Sequence, residues 1–197
     1  MQYPPKIHQD DNREHILEVI KTFPLATLIS VNQDKPVITH LPLIWNGEKL
    51  VGHIDKFNPQ AEFLRAHRNI TVIFSGPECY ISPSIYNTEQ LPTWNYVKVH
   101  LQGTVTEIES QEAIKQSMIS MTEFLEAPEQ KYMLHPDNPD MEKYLPFVKG
   151  FEIKITAWEG KFKLSQNRNK QDFEAAKKEL IRRTQESIRR FLDSILN

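Results

Sequence analysis

A chain of 197 residues, 39% hydrophobic and 25% charged, is long enough for one domain with a substantial core. Its net charge of −2 excludes a global basic field that would draw in nucleic acid or an anionic membrane. One cysteine, Cys79, excludes an intrachain disulfide and any multi-cysteine metal site, and predicts a reducing compartment. The polar start "MQYPPKIHQDDNREH" and the lack of any run near 20 apolar residues predict a cytoplasmic protein without membrane spans.

In chain order, Asp11 and Asn12 are candidate caps for a helix that presents Ile16, Val19 and Ile20 on one face and stops near Phe23-Pro24. "LATLISV" reads as a strand, "KPVITHLPLIW" as a second, and "NGEK" as a turn into a third, "LVGHI". Asn58-Pro59 signals a helix start, with "PQAEFLRAH" as a short helix. "NITVIF" is a fourth strand. "YVKVHLQGTVTEI" is a long fifth, alternating Val97, Val99 and Leu101 against Lys98, His100 and Gln102. A helix follows from about Gln111 to Glu126, with Ile114, Met118, Met121 and Leu125 at helical spacing. "HPDNPD" is a loop, "MEKYLPFV" a short helical piece, and "GFEIKITAWEG" the last strand. From about Gln171 a charged amphipathic helix presents Phe173, Leu180, Ile188, Phe191 and Ile195. Strands in succession, with few helices between them, fit a small antiparallel barrel with peripheral helices rather than a parallel α/β sheet.

Three polar clusters stand at strand ends. "THLP" with "GHIDKFNP" supplies His40, His53, Lys56 and Asn58. "YISPS…PTWNY" supplies Ser82, Ser84, Thr93, Trp94, Asn95 and Tyr96. "GKFKLSQNR" supplies Lys161, Lys163, Ser165, Gln166, Asn167 and Arg168. A cation beside a helix start is an anion site in outline, so Lys56 and the Asn58 cap predict a phosphate contact. Aromatic rings cover planar ligands, and amides pair with their polar edges. Each cluster also has an ordinary reading. Strand histidines are often satisfied inside a core, Lys56 is an ordinary solvated lysine, Trp94 and Tyr96 close one end of a core, and "SQNR" is a polar turn. Their joint occurrence at strand ends is what points to a binding site.

No GxSxG elbow, GxxxxGK[ST] loop or GxGxxG loop is present, and the seven histidines show no HExxH spacing. Nothing near Cys79 in sequence activates it as a nucleophile.

"FSGPECYISPSIY", "PTWNYVKVH" and "GKFKLSQNR", with "THLP" and "LVGHIDKFNP" in the same order, resemble the signature segments of the PaiB-like family, described as FMN-binding negative transcriptional regulators. The resemblance runs from about Tyr3 to Arg168. It implies a mainly β (α+β) fold: an antiparallel split β-barrel of the FMN-binding type, related to the pyridoxamine-phosphate-oxidase and flavin-reductase barrels, with peripheral helices. Residues 1–168 would form that domain and residues 169–197 a C-terminal amphipathic helix packed on or extending it. The resemblance further implies a homodimer with FMN in clefts at the subunit interface. His40 and the segment from His53 to Asn58 would lie near the phosphate and ribityl chain. Ser82, Ser84, Thr93, Trp94, Asn95 and Tyr96 would form one wall, and Gln166, Asn167 and Arg168 would close the site. Lys56 stands where the family more often has arginine, and a lysine keeps the charge without the bidentate fork. Glu78, Cys79 and Ile85 also depart from the family pattern.

Three readings of function follow. The first is an FMN-binding transcriptional regulator, most simply a negative one. It would act without direct DNA contact, because "KKELIRR" is interleaved with Glu179, Glu186 and Asp193 and there is no basic stripe. The second is a flavin-dependent oxidoreductase in which the cofactor carries the redox step. The third is a haem-binding relative, with His135 as candidate axial ligand.

Overall fold

The computed structural model describes residues 4–65 and 67–195. The strands are β1 (Gln9–Asp10), β2 (Leu25–Asn32), β3 (Lys35–Pro42), β4 (Ile44–Trp45), β5 (Leu50–Asp55), β6 (Asn69–Ile81), β7 (Thr93–Ile108) and β8 (Val148–Lys163). The helices are α1 (Arg13–Thr22), α2 (Gln111–Glu126), α3 (Pro139–Tyr144) and α4 (Lys170–Ile195). The fold is therefore α+β, with an antiparallel eight-stranded sheet in the order β3-β2-β6-β7-β8-β5-β4 and β1 on β8. Among the described residues the sheet stays open, with β3 and β4 at its ends. That is the split form of the predicted barrel.

The chain divides into two compact units. One comprises the described residues of Leu17–Phe74 and His100–Trp158, and the other those of Met1–Ile16, Ser75–Val99 and Glu159–Asn197. In the first unit β2 pairs with β3 over its whole length, from Leu25 opposite Pro42 to Asn32 opposite Lys35. β5 pairs with β8, which sets His53 opposite Gly150. Leu28, Leu50, Phe74, Leu101, Phe151 and Ile153 are fully buried there. Gly52 allows this packing, because a side chain at that position would collide with Leu43 and press on Phe151 and Leu41. α2 is capped by Ser110, whose hydroxyl accepts from the Ala113 amide, and buries Ile114, Ile119 and Met121.

In the second unit β1 lies on β8, with Gln9 opposite Lys161. Cys79, Ile81 and Leu180 form a buried cluster against Ile85, Tyr86 and Leu164, which seats the first half of α4. Beyond Leu180 the apolar residues of α4 are exposed, with Ile188, Phe191 and Ile195 all more than half open to solvent.

Several elements differ from the sequence expectation. The helix expected over residues 59–67 is a five-residue 3-10 turn, Pro59–Phe63, and Ala66 lies outside the described residues. The second predicted strand is interrupted at Leu43, whose amide donates to the Pro24 carbonyl (2.9 Å) instead of joining the ladder. β6 continues through Gly76-Pro77 to Ile81, where a Gly-Pro pair reads as a breaker. β7 begins at Thr93 and β8 runs on to Lys163, so Trp94, Asn95 and Tyr96 are strand residues. Leu196, at the end of the predicted last helix, also lies outside the described residues.

Candidate functional site

The polar residues singled out from the sequence fall into two groups, one in each unit. In the first unit they gather around the end of β5. His40 is exposed on β3, and its Nδ1 lies 3.0 Å from the Thr27 hydroxyl on β2, its cross-strand neighbour. The Thr39 hydroxyl donates to Asn58 Oδ1 (3.3 Å), and the same oxygen accepts from the Gln60 amide (2.9 Å). Asn58 therefore acts as a cap, as its sequence setting predicts. The turn it caps is too short for an appreciable helix dipole, so the anion-attracting field expected there reduces to the charge of Lys56.

Lys56 is exposed. Its ammonium donates to the Pro146 carbonyl (2.6 Å), which fixes the side chain and leaves two of its three donors for a ligand. Its backbone amide donates to the Phe147 carbonyl (2.8 Å). The Phe57 ring lies tilted by 33° against Phe147, centroids 6.1 Å apart, and Phe57 remains 79% exposed. His53 is half-buried, and its Nδ1 is shielded from solvent with no hydrogen-bond partner among the described residues. Desolvation lowers the pKa of His53 below the ordinary imidazole value. A neutral ring with an unsatisfied buried nitrogen calls for an acceptor or donor from outside the chain. An anion with several oxygens, such as a flavin phosphate, suits this donor set.

In the second unit the centre is Ser165. It follows β8 in the left-handed backbone region, at φ 64°, and is almost fully buried. Asn95, 1% exposed, donates from Nδ2 to Ser165 Oγ and accepts from the same hydroxyl at Oδ1, both at 3.1 Å. The Tyr86 hydroxyl stands 3.1 Å from Ser165 Oγ. The Arg168 guanidinium lies over the Tyr86 ring at 5.9 Å, with its Nε buried and without a partner among the described residues. Gln166 is committed to the backbone, donating to the carbonyls of Ile7 (2.8 Å) and Phe162 (2.5 Å) and accepting from the Leu164 amide (2.7 Å). Ser82 caps the 3-10 turn Pro83–Ile85 and meets Ser84 at 2.8 Å. Thr93 is half-buried, Asn167 exposed, Trp94 half-exposed and Tyr96 half-buried. His135 is exposed on the loop before α3.

Asp172 is a residue that sequence reasoning missed. Fully buried, it accepts from the Asn87 amide (2.8 Å), the Thr88 hydroxyl (2.5 Å) and Asn169 Nδ2 (2.9 Å). The Thr88 bond, then the Asn87 amide, hold its carboxyl below the usual carboxylate range against the opposing effect of burial. This one side chain ties the loop between β6 and β7 to the start of α4. An acidic residue three positions after Asn169 is a capping signal that the sequence did offer.

Residues 2–157 match the family described as "Putative FMN-binding domain". The chain is 34% identical over 184 residues to the protease synthase and sporulation protein PAI 2 of Bacillus subtilis, covering 87% of this chain and 85% of that one. Among solved structures it is similar to the FAD and haem binding protein from Mycobacterium smegmatis, with a TM-score of 0.65 and 18% identity over 86% of this chain and 80% of that one. It is also similar to the flavocytochrome Anf3 from Azotobacter vinelandii, with a TM-score of 0.61 and 17% identity over 79% and 69% of the two chains. At these identities the two structures speak to the fold.

Proposed function

The chain belongs to the PaiB-like family of FMN-binding domains, and on that premise we propose that it is a homodimeric, cytoplasmic flavoprotein whose bound FMN governs a regulatory output. The observation that carries the FMN reading is the group at the end of β5. There Lys56 holds an oriented ammonium at the surface, and His53 has a buried nitrogen without a partner. The FMN phosphate supplies the oxygens these groups lack. In the second unit, Trp94 and Tyr96 offer ring faces to a planar ligand. Ser82, Ser84, Thr93, Asn167 and Arg168 are the polar groups the family pattern assigns to the cofactor. The commitments of Asn95 and Gln166 make them supports of that surface.

The regulatory part of the reading draws on the relative's sporulation name. Control without direct DNA contact is favoured by α4. Arg182 and Arg183 are paired with Glu179, and Arg182 also with Glu186, so the charge of these two arginines is answered within the helix rather than left for phosphates.

The test is a pair of titrations, FMN and riboflavin, against the parent protein and Lys56→Ala. A charge-assisted contact of about 1.5–3 kcal/mol makes the variant about tenfold or more weaker for FMN and little changed for riboflavin. Equal losses for both ligands would remove Lys56 from the phosphate. A purified protein that takes up no FMN would end the flavin reading, and a Soret band would replace it with haem binding. Steady oxidation of NADH or NADPH with turnover would make the protein an oxidoreductase instead.

A further inference from the structure

The second half of α4 carries a seven-residue repeat. Residues 181–187 read IRRTQES, residues 188–194 read IRRFLDS, and Ile195 opens a third unit. Ile181, Ile188 and Ile195 therefore recur every seven positions, with Thr184 and Phe191 three positions after the first two. That is the a and d spacing of a coiled-coil seam. On a straight helix of about 3.6 residues per turn such a stripe drifts, and it stays aligned when two helices wind round each other. The stripe is open: its three isoleucines and Phe191 are each more than half exposed. It begins where the anchoring of α4 ends, since the buried residues of that helix are Asp172, Ala176 and Leu180. The charges of this stretch avoid the stripe. Arg182, Arg183, Glu186, Arg189, Arg190 and Asp193 fill the b, c and f positions. Along that face Arg182 pairs with Glu179 and Glu186, Arg183 with Glu179, and Arg190 with Glu186. The e and g positions that flank the seam hold Gln185, Ser187, Leu192 and Ser194, none of them charged.

We propose that the second half of α4 pairs with the same segment of a second copy of this chain, as a two-stranded coiled coil. An identical helix suits the charge pattern. Two copies meet with apolar stripes and uncharged flanks, so no like charges face each other, although each segment carries four arginines against two acids. A different helix selected by charge would read the e and g positions, and these carry nothing to read. A lipid surface takes a wider apolar face than a strict a and d stripe. Two heptads are short for a free-standing coiled coil, which takes about three or four. The pairing therefore rests on the homodimer reading above, because two copies already joined present their helices to each other at a raised effective concentration.

The test uses the full chain carrying Ile188→Cys, under mild oxidation with copper phenanthroline, read on non-reducing gels. Position 188 is midway between Ile181 and Ile195, so it meets its counterpart whichever way the two helices run. The native Cys79 is buried, and the parent protein controls for it. Ile188→Cys should form a covalent dimer about tenfold or more faster than Arg189→Cys, one position round the helix on the charged face. Adding Ile181→Glu to Ile188→Cys puts a carboxylate into the seam and should slow the cross-link about tenfold or more, whereas Ile181→Val should leave it unchanged. These positions are exposed, so far-UV circular dichroism and FMN uptake should match the parent's. Equal rates at positions 188 and 189, or a cross-link indifferent to Ile181→Glu, would overturn the pairing. A dimeric mass for the parent in light scattering, with no cross-link at position 188, would keep the homodimer and remove this contact. A monomeric mass without a cross-link would remove both. Parent protein that binds phosphatidylglycerol vesicles and loses them in Ile188→Glu, with no cross-link, would give this face to a membrane instead.

Discussion

Burying Asn95 places a carboxamide where water cannot reach it, so its worth depends on one partner, the hydroxyl of Ser165. Ser165→Ala would leave both polar ends of that amide unsatisfied, at a cost of about 1–3 kcal/mol per orphaned group. Thermal melting of Ser165→Ala should therefore fall by several degrees. Asn95→Ala should also melt lower, having lost a buried partner of Ser165 and Tyr86. A melting curve for Asn95→Ala that overlays the parent's would show that this network contributes nothing to stability. The pairing spans 70 positions in the chain and leaves no local trace. Sequence reading puts Asn95 in a polar cluster at a strand end, and the structure adds that a serine delivered from the far end of β8 is its hydrogen-bond partner. His53 follows the opposite course. Its strand position was legible, but the buried nitrogen without a partner depends on the surroundings that fold over it.

At the scale of elements, periodicity was read where it was local. The alternation of Val97, Val99 and Leu101 inward against Lys98, His100 and Gln102 holds in β7. α2 spans the predicted Gln111–Glu126. Where long-range pairing overrides a local signal, the reading stopped short. β6 passes through Gly76-Pro77 and on to Ile81, and the Asn58-Pro59 start leads only to a single 3-10 turn. α4 joins both cases, since its helical pattern was plain but its anchoring was not. Asp172 fastens its first turn, and Glu179, one turn before Arg183, binds Arg182 and Arg183 together. The Arg182 hydrogen bond above all holds the Glu179 pKa at about 2. A carboxyl whose folded pKa lies below its unfolded value of 4.5 contributes stability above that value and loses it as pH falls from about 4.5 to about 2. Asp172, also lowered, adds a loss of the same sign below the ordinary carboxylate range. Far-UV circular dichroism should therefore show helix signal lost on acidification through that window, and Glu179→Gln should show much less of this change. A parent helix signal that is flat down to pH 2 would contradict the assignment.

At the scale of the whole chain, an open antiparallel sheet whose buried nitrogens at His53 and Arg168 have no partner among the described residues has stability left to gain from a ligand. A ligand that binds only the folded protein stabilises it by RT ln(1 + [L]/Kd), about 2.7 kcal/mol at one hundred times Kd. For a chain of 197 residues each kcal/mol moves the melting point by roughly 2–4 °C. FMN at that ratio should therefore raise Tm by roughly 5–10 °C. Riboflavin at the same concentration, bound about tenfold more weakly for want of the phosphate, should give about half the gain. Lys56→Ala should reduce the FMN shift to the riboflavin value while its ligand-free melting point stays near the parent's, since Lys56 is exposed. Dimerisation adds a second dependence. If the folded state is a homodimer, Tm should rise with protein concentration even without flavin, and light scattering at micromolar concentration should give twice the 23.1 kDa chain mass. A monomeric mass with a concentration-independent Tm and a full FMN shift would keep the flavin reading and remove the dimer. A dimeric mass without any FMN shift would do the reverse. The mass and the ligand shift therefore separate the two halves of the proposal in one set of samples.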